Sequence, residues 1–206
     1  MANFTQYITL DNINLIFGFL YVYYLTKAKP IAWVWGIIFC AIVCYSSIIA
    51  GLYLLGVLNI IFVILAFLGL YNFKKGASNN QSTTIIELSL KKHLIYALYV
   101  GLFFIIVYFG EQVIINFLNN NLHYAISNTF RFPFLEIPIF AFSIIATYMQ
   151  TKAVRSSWAY YVVINAFNII IYYYAGIPSY SVIYAIFGLL SVSGFYKWNK
   201  LYHARS

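Results

Sequence analysis

The chain has 206 residues, of which 64% are hydrophobic, 21% aromatic and 8% charged, and its net charge is +8. That is too little polar surface to clothe a water-soluble globule of this size, so a soluble enzyme or nucleic-acid-binding domain is excluded and a lipid-embedded protein is indicated. The basic excess is one-sided along the chain and therefore reads as membrane orientation, with no nucleic-acid partner implied.

Crossing about 30 Å of hydrocarbon takes roughly 20 apolar residues. Such stretches lie near 10–26, 32–50, 53–73, 94–115, 133–150, 157–174 and 180–198, which predicts an all-α integral membrane protein with seven transmembrane helices. The first stretch has no basic residue ahead of it and no small-residue cleavage pattern behind it, so it reads as a retained helix. The second carries Cys40 and Cys44, whose i,i+4 spacing on a helix does not suit a disulfide and reads as two small buried residues. Ala50-Gly51-Leu52-Tyr53 then marks a tight turn into the third helix. The polar run from Gly76 to Thr84 reads as a loop. Its continuation, Ile85 to Lys92, is expected either to lie on the membrane surface or to form a solvated linker. The fourth helix leads to Arg131 and Pro133, the fifth starts near Glu136, and Ala175-Gly176-Ile177-Pro178-Ser179 separates the sixth from the seventh.

With seven spans, one membrane face receives Lys27, Lys29, Lys74, Lys75, Lys91, Lys92, Lys152, Arg155, Lys197, Lys200 and Arg205, and the other receives only Arg131. By the positive-inside rule the N-terminus is outside and the C-terminus is cytoplasmic.

The second half of the chain repeats the first. Residues 11–75 laid over 136–200 at a constant offset of 125 give 16 identities in 65 pairs, where composition alone gives roughly a tenth. Thr26-Lys27-Ala28 matches Thr151-Lys152-Ala153, Trp33 matches Trp158, Ala50-Gly51 matches Ala175-Gly176, and Gly69-Leu70-Tyr71 matches Gly194-Phe195-Tyr196. A three-helix unit has odd parity, so a following copy would be inverted; the single extra helix makes the two repeats parallel, in a 3+1+3 plan. The predicted divisions are 1–75 for the first three-helix repeat, 76–132 for the loop and linker helix four, and 133–206 for the second repeat and tail. Parallel repeats of this kind suit a transporter, whose bundles rock about a site between them. Asp11 and Glu136 are equivalent, each near the outer start of its unit, where a carboxylate favours the helix dipole.

Trp158, Tyr161 and Asn165 fall at i, i+3 and i+7, so one face of helix six is expected to present two rings and an amide at mid-membrane depth. That face reads either as a stacking slot for a flat ring with an amide at its polar edge, or as interhelical packing with one hydrogen bond. The equivalent face of helix two carries Trp33, Gly36 and Cys40. Rings on one wall and room on the other favour a single asymmetric ligand between the halves. Asn59 in helix three is equivalent to Tyr184 in helix seven, another polar position without symmetry, and Asn168 completes the candidate substrate-binding set.

The pattern Trp158-x-x-Tyr161-x-x-x-Asn165 resembles the Trp-x-x-Trp-x-x-x-Asn signature of bacterial PnuC-type nicotinamide riboside transporters. Trp33-Val-Trp35-Gly36-Ile-Ile, Gly51-Leu-Tyr53, Gly69-Leu-Tyr71 and Gly194-Phe-Tyr196-Lys-Trp198 are also similar to that family, and the likeness runs from about Asp11 to Lys200. The resemblance implies a full-length SWEET-like fold, facilitated diffusion of a vitamin precursor across the inner membrane, and trapping by a cytoplasmic kinase that phosphorylates it. Tyr161 stands where the second Trp is usual and Asn59 where Gln is common. Relatives move thiamine, riboflavin or deoxyribonucleosides, and such pocket changes are of the kind that switch cargo.

The four acids, Asp11, Glu87, Glu111 and Glu136, are read near helix ends or in loops, which predicts a uniporter without ion coupling. His93, His123 and His203 sit at the edges of spans without an inward-facing pair, so neither haem ligation nor another cofactor is implied, and no nucleophile–base pairing supports an enzyme. A non-transporting structural or sensor protein is the remaining alternative, and self-association is left open.

Overall fold

The computed structural model describes residues 2–49, 53–78, 83–122, 133–174, 176 and 178–204. The expected turn at Ala50-Gly51-Leu52, His123 and Arg131 lie outside those residues, as do the side chains of Asp11 and Glu111. Among the described residues the chain forms seven helices: α1 (Ala2–Thr26), α2 (Ile31–Ile49), α3 (Tyr53–Ser78), α4 (Leu90–Leu122), α5 (Pro133–Thr151), α6 (Ser157–Tyr174) and α7 (Pro178–His203). Five contain stretches long and apolar enough to cross a bilayer, namely Ile31–Ile49, Gly56–Gly76, Leu90–Gly110, Phe134–Thr151 and Tyr180–His203. Ile13–Thr26 is a shorter apolar stretch. In α6 the apolar character is diluted by tyrosines and by Asn165 and Asn168. The protein is a multi-pass helical membrane protein.

Local chemistry sets several helix ends. α5 and α7 open on Pro133 and Pro178, where the missing N–H costs no helical bond. α1 and α5 close identically. Ala28 N–H donates to Leu25 O and Lys29 N–H to Tyr24 O, while 125 positions on Ala153 N–H donates to Gln150 O and Val154 N–H to Met149 O. This is the Schellman closure, which needs a left-handed residue, and alanine takes it both times, with φ of 51° at Ala28 and 55° at Ala153.

The buried core gathers at the basic end of the bundle. Trp33 and Trp158 are fully buried, each laid on a glycine of the third helix of its own unit. A Cβ at Gly69 would lie 2.4 Å from the Trp33 ring, and one at Gly194 would lie 2.6 Å from that of Trp158. Edge contacts at 5.5 Å for Trp33–Phe73 and 5.4 Å for Trp158–Trp198 join through Phe73–Trp198 at 6.5 Å. Four rings thus cross from one half of the chain to the other.

Within each half the middle helix packs on both neighbours, and the halves meet through α1 against α7 and α3 against α5. Polar contacts tie these seams at the basic end: Trp198 Nε1–H donates to Leu25 O at 3.0 Å, Lys197 Nζ to Thr26 Oγ1 at 3.2 Å, and Asn72 Nδ2 to Thr151 O at 3.0 Å.

The stretch before α4 departs from both readings made of it. Ile85 is buried in the core, and Ile86 pairs with the α5–α6 turn through Ile86 N–H to Ala153 O and Arg155 N–H to Ile86 O. Glu87 accepts from Arg155 Nε at 2.9 Å, Ser156 Oγ at 2.6 Å and Leu88 N–H at 2.9 Å. Burial raises the Glu87 pKa, but these donors outweigh it and hold the carboxyl below its usual range. Arg155 also donates to Asn199 Oδ1 and lies over the Tyr202 ring. A buried isoleucine and a saturated carboxylate make this segment a docked strap rather than a surface helix or a free linker.

Candidate functional site

The seven residues read from the sequence fall at three levels. At the basic end, Trp158 is the second residue of α6 and therefore sits in its first turn, not at mid-depth as the spacing suggested. Its ring is covered by Gly194 and Trp198, and that of Trp33 by Gly69, Phe73 and Tyr21. The indole Nε1–H groups of both Trp33 and Trp158 are buried without a hydrogen-bond partner among the described residues. A buried donor of this kind costs about 1–3 kcal/mol while unpaired.

One turn deeper, Tyr161 is half-buried and its hydroxyl meets Thr147 Oγ1 at 2.5 Å. Tyr21 approaches from α1: its ring lies over Gly36, where a Cβ would be 2.9 Å away, and 5.8 Å from Trp33. Its hydroxyl donates to Gln150 Oε1 at 3.3 Å. Deeper still, Asn165 is buried and its Nδ2 donates to Ser191 Oγ at 3.3 Å, while Ser191 donates onward to Phe187 O.

Towards the other end, Tyr184 stacks on Tyr172 at 5.1 Å, Tyr172 stacks on Tyr180 at 5.2 Å, and Phe187 continues across the seam to Phe19 at 5.1 Å. Asn59 is buried in α3, and Asn168 donates back to Ile164 O at 3.0 Å. The structure therefore places Trp158, Tyr161 and Asn165 along α6, sets Trp33 across from them on α2, and leaves Tyr184 in a separate aromatic column.

Tyr21, Thr147, Gln150 and Ser191 were not singled out from the sequence. A signal was there: their mates at the 125-residue offset are Ala146, Val22, Leu25 and Ala66, so each is a polar residue facing an apolar twin. Asymmetric polarity inside a repeat is costly in a packed apolar interior and marks where the two halves do different work.

A hydrogen-bonding and aromatic seam between two halves of a chain dominated by apolar helices is the arrangement of a membrane transporter. The model of the nicotinamide mononucleotide transporter family matches residues 8–200, and the chain belongs to that family. This is a family of transporters, not enzymes. The fold is similar to the crystal structure of the vitamin B3 transporter PnuC, with a TM-score of 0.69 at 22% identity, covering 96% of this chain and 83% of that one. No curated protein matches the sequence.

Proposed function

We propose that this protein takes up nicotinamide riboside by facilitated diffusion through the bacterial inner membrane, with the N-terminus outside and the C-terminus cytoplasmic. Its helices form two parallel three-helix repeats joined by α4, in the SWEET-like 3+1+3 arrangement, and the repeats rock about the seam. Trp158, Tyr161, Asn165, Trp33, Asn59, Tyr184 and Asn168 form the substrate path. The observation that carries this reading is the asymmetric polar seam, where Tyr161 and Asn165 stand opposite Gly36 and Cys40 in the repeat: rings and an amide on one side, room on the other.

The charge of the seam favours the riboside over a phosphorylated relative. Tyr21, Trp33, Thr147, Gln150, Tyr161, Asn165 and Ser191 are all neutral, and a phosphate dianion brought among them would lose its hydration without a cation to replace it. A uniporter only equilibrates its cargo, so net uptake follows from phosphorylation by a cytoplasmic kinase, whose phosphate-bearing product cannot return by this path. On this reading the aromatic crossing at Trp33, Phe73, Trp198 and Trp158 is the inner gate, with the bonds of Trp198, Lys197 and Asn72 holding it shut.

A second reading keeps the path and changes the cargo to thiamine, riboflavin or a deoxyribonucleoside, since Tyr161 and Asn59 both depart from the family pattern. Quenching of tryptophan fluorescence in purified protein, titrated with all four ligand types, separates the two. Saturable quenching by nicotinamide riboside alone is expected, and Asn165→Leu should abolish it while the protein stays monodisperse. Quenching by another ligand alone replaces the cargo. An Asn165→Leu protein that binds normally removes the site.

A further inference from the structure

We infer that Gln150 of α5 is a specificity-determining residue that hydrogen-bonds the cargo, and that Tyr21 of α1 holds the Gln150 carbonyl until a donor on the cargo displaces it. This rests on the transport reading and extends its site to two helices, α1 and α5, that the family-like motif on α6 does not reach.

The first reason is the cost of the amide. Gln150 is 2% exposed, and its twin at the 125-residue offset, Leu25, is 1% exposed. The fold thus accepts an aliphatic side chain at this place, and packing alone gives no reason for a buried amide with donors and an acceptor to satisfy.

The second reason is where the bond lies. Among the described residues α1 and α5 make no close backbone approach; α1 packs on α2 and α7, and α5 on α3, α4 and α6. Tyr21 and Gln150 therefore reach towards each other across the space between the two halves and meet at 3.3 Å. A cargo carried between the halves would pass through that space. Because Tyr21 OH to Gln150 is one neutral hydrogen bond, replacing it with an equivalent bond from a ligand is close to neutral in free energy. Binding can then release a direct link between the halves at little cost.

The third reason is the company the pair keeps. Thr147 stands one turn before Gln150 on the same face of α5 and meets the Tyr161 hydroxyl. The Tyr21 ring borders Trp33 and Gly36. Gln150 consequently adds a carboxamide to a cluster that already holds rings and hydroxyls. Its acceptor and two donors suit a ligand with an amide or sugar hydroxyls on a flat ring.

The test compares Gln150→Leu, which installs the residue of the twin position, with Tyr21→Phe, and adds Gln150→Met in case the leucine packs poorly. Affinity for nicotinamide riboside, thiamine and a deoxyribonucleoside is measured by fluorescence quenching, alongside the melting temperature. Both Gln150 variants should bind the cargo about tenfold more weakly, and Tyr21→Phe should bind as tightly as wild type or more tightly. A purely structural pair would shift melting in all three variants and affinity in none. The proposal is overturned if the Gln150 variants stay within about twofold of wild type, or if Tyr21→Phe loses as much affinity as they do. Absence of wild-type binding to every ligand would overturn the transport reading and this assignment with it, whereas normal wild-type binding with indifferent variants would overturn this assignment alone.

Discussion

Gly194→Ala tests the packing on which the inner end of the bundle depends. Two opposed effects set its size. In a helix interior alanine is favoured over glycine by about 0.8–1.0 kcal/mol. Against this, the new Cβ would lie 2.6 Å from the Trp158 ring, so the ring would have to retreat by about 1 Å to reach an ordinary carbon–carbon separation. Trp158 is 1% exposed and meets Trp198 edge-on at 5.4 Å, so its rigid bicycle has nowhere to go. Overpacking of that kind costs about 1–3 kcal/mol, and the absence of slack places this site near the upper end. The net loss of about 2 kcal/mol corresponds to a fall in melting temperature of about 4–8 °C for a chain of this length. Gly69→Ala, with its Cβ 2.4 Å from Trp33, should behave alike. Gly101→Ala, in α4 where nothing lies within 4 Å of the added carbon, feels only the helix preference and should melt no lower than wild type. The assay is thermal unfolding in one detergent, followed by loss of monodisperse protein. A Gly194→Ala protein that melts at or above wild type, or a Gly101→Ala protein that falls as far, would refute this account of the tryptophan–glycine contact.

Other outcomes follow from the same geometry. Ala153→Gly and Ala28→Gly relieve a left-handed alanine and should each raise stability by about 1 kcal/mol, read as a higher melting temperature; an unchanged or lower value would show that the methyl groups pack well enough to offset the strain. The folded-state pKa of Glu87 is depressed, so its stabilisation is complete above the unfolded value of about 4.3 and is lost as pH falls through the lower folded value. Glu87→Gln should melt lower at neutral pH and lack that acid-side loss, and an identical pH profile would argue against the strap. Trp198→Phe, which copies its twin Phe73, should destabilise by about 1–3 kcal/mol by leaving Leu25 O unpaired; a melting temperature equal to wild type would show that the carbonyl finds another donor.

Helix number and order were legible in the sequence because about 20 apolar residues are needed per span and the polar turns between them are short. The start of α6 was legible too, but the depth of Trp158 was not: helical periodicity fixes which side a residue faces, not how far along the axis the membrane centre lies. Helix face alone also did not show that the Trp158 ring lies against Gly194, a glycine 36 positions later that the sequence offered only as a matching word in the repeat. The strap at Ile85 to Leu88 was hidden for a related reason. Its lysines dominated the composition of the segment, while the contacts that dock it are made by Ile85 and Glu87 with residues some 70 positions away. Tyr21, Thr147, Gln150 and Ser191 look unremarkable one at a time, and only comparison with their apolar twins sets them apart.

Among the described residues α4 packs against α5 and meets α6 through His93 Nδ1 and the Tyr160 hydroxyl at 2.9 Å, and the Glu87–Arg155 strap anchors its start to the α5–α6 turn. Its 33 residues therefore travel with the second half of the chain and leave both seams between the halves unbraced. In any rocking motion the lipid bilayer meets one body of three helices and another of four. On the transport reading α4 then moves as one body with Asn165 and Gln150, and Tyr21 belongs to the smaller body across the seam.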